Sequence, residues 1–299
     1  MNIAIDQMDN KLKQALVEYS TANITGEVVS TFERVINIKL FYPSCLIAIA
    51  TDNVISAPYM MKTKNLKAFN ELQRRTKIGD SICFNEKKLL IINTCTVDYT
   101  PAKTWDNSIN IKPLNYSVVE NKYNNLKTYL SEFGKTGGIL TAFLMREEGT
   151  HQIIPKMYDS YFKVILDQLE TELSVDNLQQ FIGLGVGLTP SGDDFITGLL
   201  SVLYCYAQHQ SKITELICSL KNINFQNKTT HVSSYMISNA LTGQVNTPLK
   251  DYIALELDNK RMNKQLIDSI ISIGSTSGTD MLVGVCFGFK YLIKNKGRV

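Results

Sequence analysis

Two short segments of this chain carry residues that could do chemistry, and they share one pattern. Thr189-Pro190-Ser191-Gly192-Asp193-Asp194-Phe195-Ile196-Thr197-Gly198 and Ser275-Thr276-Ser277-Gly278-Thr279-Asp280-Met281-Leu282-Val283-Gly284 align without a gap on Ser-Gly-x-Asp-x-x-x-Gly. In each, hydroxyls and a glycine lead into an apolar stretch that reads as a helix. The start of a helix leaves backbone N–H groups without partners and carries the positive end of the helix dipole, which suits an anionic ligand. Two such starts in one domain describe a two-sided anion site. Asp193, Asp194 and Asp280 are the candidates for catalytic duty. Asp194 and Asp280 hold the same place, three residues after their serine, where a capping box would carry Glu or Gln. The shorter Asp reaches its own chain less well, so a ligand or metal role stands beside capping for this pair.

The first segment continues a glycine-rich run, Gly183-Leu-Gly185-Val-Gly187-Leu-Thr189-Pro190-Ser191-Gly192, with four glycines in ten residues. Glycine allows positive φ and a close backbone approach to a ligand. A plain capped loop needs one Ser or Asp, with Ser191 or Asp193 capping and Asp194 on the helix dipole. It does not need this run plus Thr, Ser and two carboxylates. The candidate anion-binding residues are therefore Gly185, Gly187, Thr189, Ser191 and Gly192 in the first loop, and Ser275, Thr276, Ser277 and Gly278 in the second. The run superficially resembles a dinucleotide fingerprint, but no strand-then-helix unit with a downstream acid accompanies it. Gly198 and Gly284 fall on the same turn of each helix and would let the two helices cross closely about a pseudo-two-fold axis.

Further residues join the candidates. Thr229 and Thr230 precede another apolar helix, and the adjacent His231 is either a general acid or base or simply a packed or solvated side chain. Arg34, in the strand-like run Phe32 to Asn37, either clamps a carboxylate or phosphate or pairs with a nearby acid. Gly134-Lys135-Thr136-Gly137-Gly138 resembles the end of a phosphate-binding P-loop, but Tyr129 stands where the first glycine belongs, so it reads as a helix C-cap and a turn. Three dispersed histidines make no zinc pattern, and neither a metal site nor a cofactor is expected. A carboxylate beside an anion is repulsive unless a proton or Mg²⁺ intervenes, which leaves room for Mg²⁺.

The elements that must position these residues are also legible. Before about residue 115, β-branched runs alternate with turn signals at Gly26–Ser30, Val35–Tyr42, Leu46–Ala50, Ser81–Phe84 and Lys88–Thr96, and read as strands. Residues 62–77 read as one helix or a long connection, and Tyr99–Pro113 as a linker or covering loop. After Leu114 the apolar spacing becomes helical over Val118–Phe133, Met157–Leu173, Val175–Ile182, Phe195–Gln208, Lys212–Leu220, Val232–Leu241, Pro248–Leu257, Met262–Ile273 and about Thr279–Lys294. Phe195–Tyr206 and Met281–Phe289 are almost wholly apolar, as in helices buried on most of their surface. The expected fold is α+β: a β-rich N-terminal domain over 1–114, then a mostly helical domain over 115–299 with an internal pseudo-repeat of Ser-Gly-x-Asp loops.

Composition narrows the class. The 299 residues are 44% hydrophobic and 20% charged, ordinary for a globular protein. A net charge of +3, with basic residues spread out, does not point to nucleic acid. The N-terminus lacks the regions of a signal peptide, and no stretch approaches the roughly 20 apolar residues that span a bilayer, so a cytoplasmic protein with no membrane partner is expected. Six scattered cysteines without a CxxC pair read as free buried thiols.

With these residues in view, the chain resembles a bacterial family known as a domain of unknown function, AllH-like, some of whose members are described as a subunit of oxamate carbamoyltransferase. The resemblance rests on Gly185-x-Gly187-Leu-Thr-Pro-Ser-Gly-Asp-Asp194 before an apolar helix, on Thr229-Thr230 and on Gly274-Ser-Thr-Ser-Gly278. Phe32–Asn37 and Ala102-Lys-Thr-Trp105-Asp106 add to it, and together they run over most of the chain. It implies a transferase role in anaerobic purine and allantoin catabolism, where oxalurate and phosphate become oxamate and carbamoyl phosphate. It also implies two partner subunits, one similar to acyl-CoA synthetase subunits. The chain shows neither the Ser-Thr-x-Thr phosphate loop with Arg nor the His-Pro-x-Gln string of ordinary carbamoyltransferases, so carbamoyl transfer here would use another scaffold. Two other readings stand: a non-catalytic anion-binding or regulatory subunit of an acyl-CoA-synthetase-like complex, and an acyl-CoA-linked enzyme of another pathway.

Overall fold

A computed structural model describes residues 2–18, 24–42, 44–84, 90–148, 157–207, 210–255 and 260–296. The chain divides into two units, Met1–Asn107 and Ser108–Val299. The first is built on strands and the second on helices, so the fold is α+β.

Among the described residues the N-terminal unit holds ten short strands: β1 (Asn2–Ala4), β2 (Gln7–Asp9), β3 (Thr25–Thr31), β4 (Val35–Leu40), β5 (Cys45–Thr51), β6 (Met60–Thr63), β7 (Ser81–Phe84), β8 (Leu90–Ile92), β9 (Cys95–Asp98) and β10 (Lys103–Trp105). The helices α1 (Asn10–Glu18) and α2 (Leu66–Arg75) accompany them. The strands form one sheet in the order β1-β9-β8-β7-β3-β4-β5-β6-β2-β10. The pairs β1–β9, β5–β6 and β2–β10 are parallel, and the others antiparallel. β1 and β2 are consecutive in the chain yet lie toward opposite ends of this order. Ile5 donates to the Asp98 carbonyl on one side and Asp6 to the Lys62 carbonyl on the other, so the sheet curls until its ends meet. Inward β-branched positions such as Ile36, Ile38, Ile47 and Ile49 are fully buried, as alternation along a half-buried strand requires.

Three expectations change in this unit. Lys88–Thr96 is not one strand, because Asn93 turns with φ 53° between β8 and β9; residues 85–89 lie outside the described set. Residues 62–77 split into the end of β6 and α2, which Asn65 caps by accepting from Ala68 N–H. Tyr99–Pro113 is not wholly connection, since β10 pairs with β2 through it.

The C-terminal unit holds α3 (Tyr116–Phe133), α4 (Leu140–Glu148), α5 (Met157–Thr171), α6 (Val175–Gln179), α7 (Ser191–Ala207), α8 (Ser211–Lys221), α9 (His231–Ala240), α10 (Thr247–Ala254), α11 (Lys260–Ile271) and α12 (Ser277–Lys294). The sequence reading missed α4. The pair α7 and α12 forms the centre. Every residue of α7 except Tyr204 is buried, and α12 is buried without a break from Gly278 to Phe289. Phe195 stacks on Phe181 at 4.7 Å and meets Phe287 edge-on at 5.6 Å. A Cβ at Gly198 would overlap the Met281 carbonyl and stand 3.1 Å from Val285 N; one at Gly284 would overlap the Phe195 carbonyl and stand 2.9 Å from Leu199 N. In the motif alignment Met281 matches Phe195 and Val285 matches Leu199. Each glycine therefore meets the counterpart of its own neighbours, which is the signature of a local two-fold axis.

Among the described residues no helix is long and apolar enough to cross a membrane. All six cysteines are free; Cys45, Cys95, Cys205 and Cys286 are buried, whereas Cys83 and Cys218 are exposed.

Candidate functional site

The local two-fold brings the two motifs together at the N-terminal ends of α7 and α12. Asp193, Asp194 and Asp280 all have 0% exposure, an environment in which ionised carboxylates are rare without partners. Asp194 and Asp280 each take a serine from the other motif and a threonine from their own. The hydroxyls of Ser277 and Thr189 lie beside Asp194, and those of Ser191 and Thr276 beside Asp280. Thr189 and Ser277 bond each other through their hydroxyls at 2.8 Å.

The three carboxylates do different work. Asp193 accepts from Gly183 N–H at 2.8 Å and from the Thr229 hydroxyl, tying the glycine-rich loop to the start of α9. Asp280 accepts from Ile139 N–H at 2.8 Å through Oδ1, while its Oδ2 has no hydrogen-bond partner. Neither oxygen of Asp194 completes an aligned hydrogen bond, although the Ser277 and Thr189 hydroxyls favour its charged form in part. Burial raises all three above the usual carboxylate range. Asp194 stands well above it, and the nearby Asp280 and Asp193 charges add to the burial effect. Asp280 is pushed up to about 6 by burial, against the pull of Ile139 N–H and the Ser191 and Thr276 hydroxyls. Two buried carboxylates whose charges act on each other titrate as a pair, and burial with the neighbouring charges raises Asp194 further than burial raises Asp280.

The helix ends are less open than the sequence implies. Gly192 N–H is taken by the Leu184 carbonyl, those of Asp193 and Asp194 by Pro190, Gly278 by Ile273 and Asp280 by Thr276. Ser191 is the first residue of α7, so neither it nor Asp193 caps the helix. The free donors lie in the loop before it. Gly185 and Gly187 have φ of 122° and 103°, and among the described residues the amides from Gly185 to Leu188 donate no hydrogen bond. Val186, at 77% exposure, holds this stretch at the surface.

Thr230 is otherwise engaged. Its hydroxyl donates to the Leu188 carbonyl at 2.6 Å and accepts from Ser233 N–H at 3.2 Å as the N-cap of α9. His231 is exposed at the first position of α9, and His151 and His209 lie outside the described residues. Ser275 and Gly274 are exposed at the mouth of the second loop. Arg34 sits in the N-terminal unit at the turn between β3 and β4, not within a strand; its guanidinium lies 3.9 Å from Glu33, and both side chains are exposed. Among the described residues no three His, Cys, Asp or Glu side chains gather as a metal-binding group.

Residues 134–139 were missed as part of this site. Gly134 caps α3 through its N–H to the Leu130 carbonyl, as a helix end requires. The loop then docks on the second motif. Lys135 N–H donates to Thr279 Oγ1 at 3.1 Å, and Lys135 Nζ to the Gly274 carbonyl at 3.1 Å. A Cβ at Gly138 would overlap both oxygens of the Asp280 carboxylate. The glycines ahead of the apolar run Ile139–Met145 were the available signal.

Two family models match the chain. The AllH family N-terminal domain covers residues 3–104, and oxamate carbamoyltransferase subunit AllH covers residues 181–289, which holds both Ser-Gly-x-Asp motifs. No solved structure matches the chain. The second match runs from the glycine-rich loop to the buried end of α12, and together the two cover most of the sequence, so the chain belongs to the AllH family of oxamate carbamoyltransferase subunits.

Proposed function

We propose that this chain supplies the proton-handling, anion-binding site of an oxamate carbamoyltransferase acting in anaerobic purine and allantoin catabolism. The observation that carries the reading is the pair of buried carboxylates, Asp194 and Asp280. They are related by the local two-fold, cross-paired to each other's serine hydroxyls and left with unfilled acceptor positions.

The reaction fits such a pair. An oxygen of hydrogenphosphate attacks the carbamoyl carbon of oxalurate, the C–N bond to the oxamate nitrogen breaks, and the phosphate proton ends on that nitrogen. One carboxylate must take a proton and another group must give one, with no net change. Asp194, raised further than Asp280, is the member that gives a proton, and Asp280 the member that takes one. The half-buried hydroxyls of Ser277 and Thr189, bonded to each other beside Asp194, relay its proton outward. The unpaired amides from Gly185 to Leu188 hold one anion, the loop from Ser275 to Gly278 faces the other, and such donors stabilise the oxyanion on the carbamoyl oxygen. The raised proton affinity of Asp194 lessens the repulsion that would otherwise call for Mg²⁺. The partner subunits, one of them acyl-CoA-synthetase-like, complete the enzyme.

The test is phosphate-dependent oxalurate cleavage by this chain assembled with its partner subunits, with Asp194→Ala and Asp194→Asn compared. Loss of turnover in both, with the complex still assembled, is the expected result. Activity that survives in either variant refutes catalysis here and favours a non-catalytic, regulatory subunit.

A further inference from the structure

Residues 134–139 carry chemistry of their own beside the second Ser-Gly-x-Asp motif. α4 begins just after this loop, and among the described residues the amides of Thr136, Gly137 and Gly138 donate no hydrogen bond. Their free N–H groups and the α4 dipole point to an anion. Lys135 brings a positive charge to the same place. Its ammonium bonds the Gly274 carbonyl and forms no ion pair among the described residues. Asp280, at 0% exposure, supplies an independent sign of a ligand. Its carboxylate lies directly against Gly138, and Oδ2 is left without a partner.

An ordinary anion cannot sit beside that oxygen, because two acceptors would face each other. An oxyanion that carries its own proton can. We propose that Lys135, the amides of Thr136 to Gly138 and Asp280 form a subsite for inorganic hydrogenphosphate, in which the phosphate O–H donates to Asp280 Oδ2. The subsite rests on the phosphate-using reading above and gives it a specificity: sulfate has the same shape and charge but no proton at neutral pH. A site built around a required donor rejects the analogue that lacks it. Asp280 then also receives the proton that the attacking phosphate releases, so the selecting group and the base are the same carboxylate.

Calorimetric titration of the full chain, and of its complex with the partner subunits, with sodium phosphate and with sodium sulfate at pH 7.5 tests this. Phosphate is expected to bind at least about 100-fold more tightly than sulfate. Lys135→Ala should weaken phosphate at least about tenfold by removing a charged donor. Asp280→Asn, whose amide can donate, should narrow the gap by admitting sulfate. Equal binding of the two anions to the wild type, no phosphate binding to chain or complex, or an unchanged phosphate affinity in Lys135→Ala overturns the subsite. Selective phosphate binding without oxalurate turnover would instead defeat the carbamoyltransferase reading and leave the subsite standing. Phosphate-dependent turnover with unaltered affinity in Lys135→Ala would do the reverse.

Discussion

Replacing Asp280 with Asn should stabilise the folded chain at neutral pH while disabling the site. The folded chain holds a proton on Asp280 up to pH about 6, whereas a free aspartate loses its proton near 3.8. Between those values the folded state binds more protons than the unfolded one, so Asp280 lowers stability as pH rises, and the loss levels off above about 6. At about 1.4 kcal/mol per decade, the full effect is about 3 kcal/mol. Asn keeps the acceptor for Ile139 N–H and carries no charge to bury. Urea unfolding followed by far-UV circular dichroism, for wild type and Asp280→Asn from pH 4 to pH 7.5, isolates Asp280 together with its coupling to Asp194, because titrating residues that do not interact with it cancel in the difference. The variant should match the wild type near pH 4 and exceed it by up to about 3 kcal/mol at pH 7.5. Stabilisation with loss of function is the mark of a residue kept for activity. A difference that does not vary with pH, or a variant less stable at pH 7.5, would show that Asp280 is a satisfied structural carboxylate and refute the argument.

Two further outcomes check the scaffold. Gly198→Ala and Gly284→Ala each place a methyl on the facing helix backbone, which cannot rotate away, and each should cost about 1–3 kcal/mol in thermal unfolding; an unchanged melting temperature would refute the close crossing of α7 and α12. Thr230→Val removes the cap of α9 and the bond to Leu188 and should cost about 1–2 kcal/mol, with Thr230→Ser restoring most of it; equal loss in the serine variant would show that the methyl, not the hydroxyl, matters.

Legibility followed the range of the interactions involved. α7 and α12 announced themselves because both are apolar on every side, a pattern that needs no knowledge of neighbours. The strand Ser81–Phe84 was readable from a β-branched run bounded by turns, as was Val35–Tyr42, which ends as a strand at Leu40. The three-residue strands β1, β2 and β10 were not, because their pairing depends on residues at the other end of the sheet. The Gly134–Gly138 loop was judged against a phosphate-loop pattern that it fails, while its role rests on Thr279, Gly274 and Asp280, some 140 positions downstream.

By itself the sequence determined the helical class of the C-terminal unit, the repeat of Ser-Gly-x-Asp and the chemistry available there, since these follow from side-chain type and local periodicity. Only the tertiary structure decided which groups act together. The close approach permitted by Gly198 and Gly284 crosses the two motifs, so each serine serves the other motif's aspartate. The hydrogen-bond partners met at that crossing, not residue type, separate Asp193, which is bonded into the scaffold, from Asp194 and Asp280, which keep open acceptor positions. A carboxylate's proton affinity depends on the water and dipoles around it, and those are properties of the folded chain.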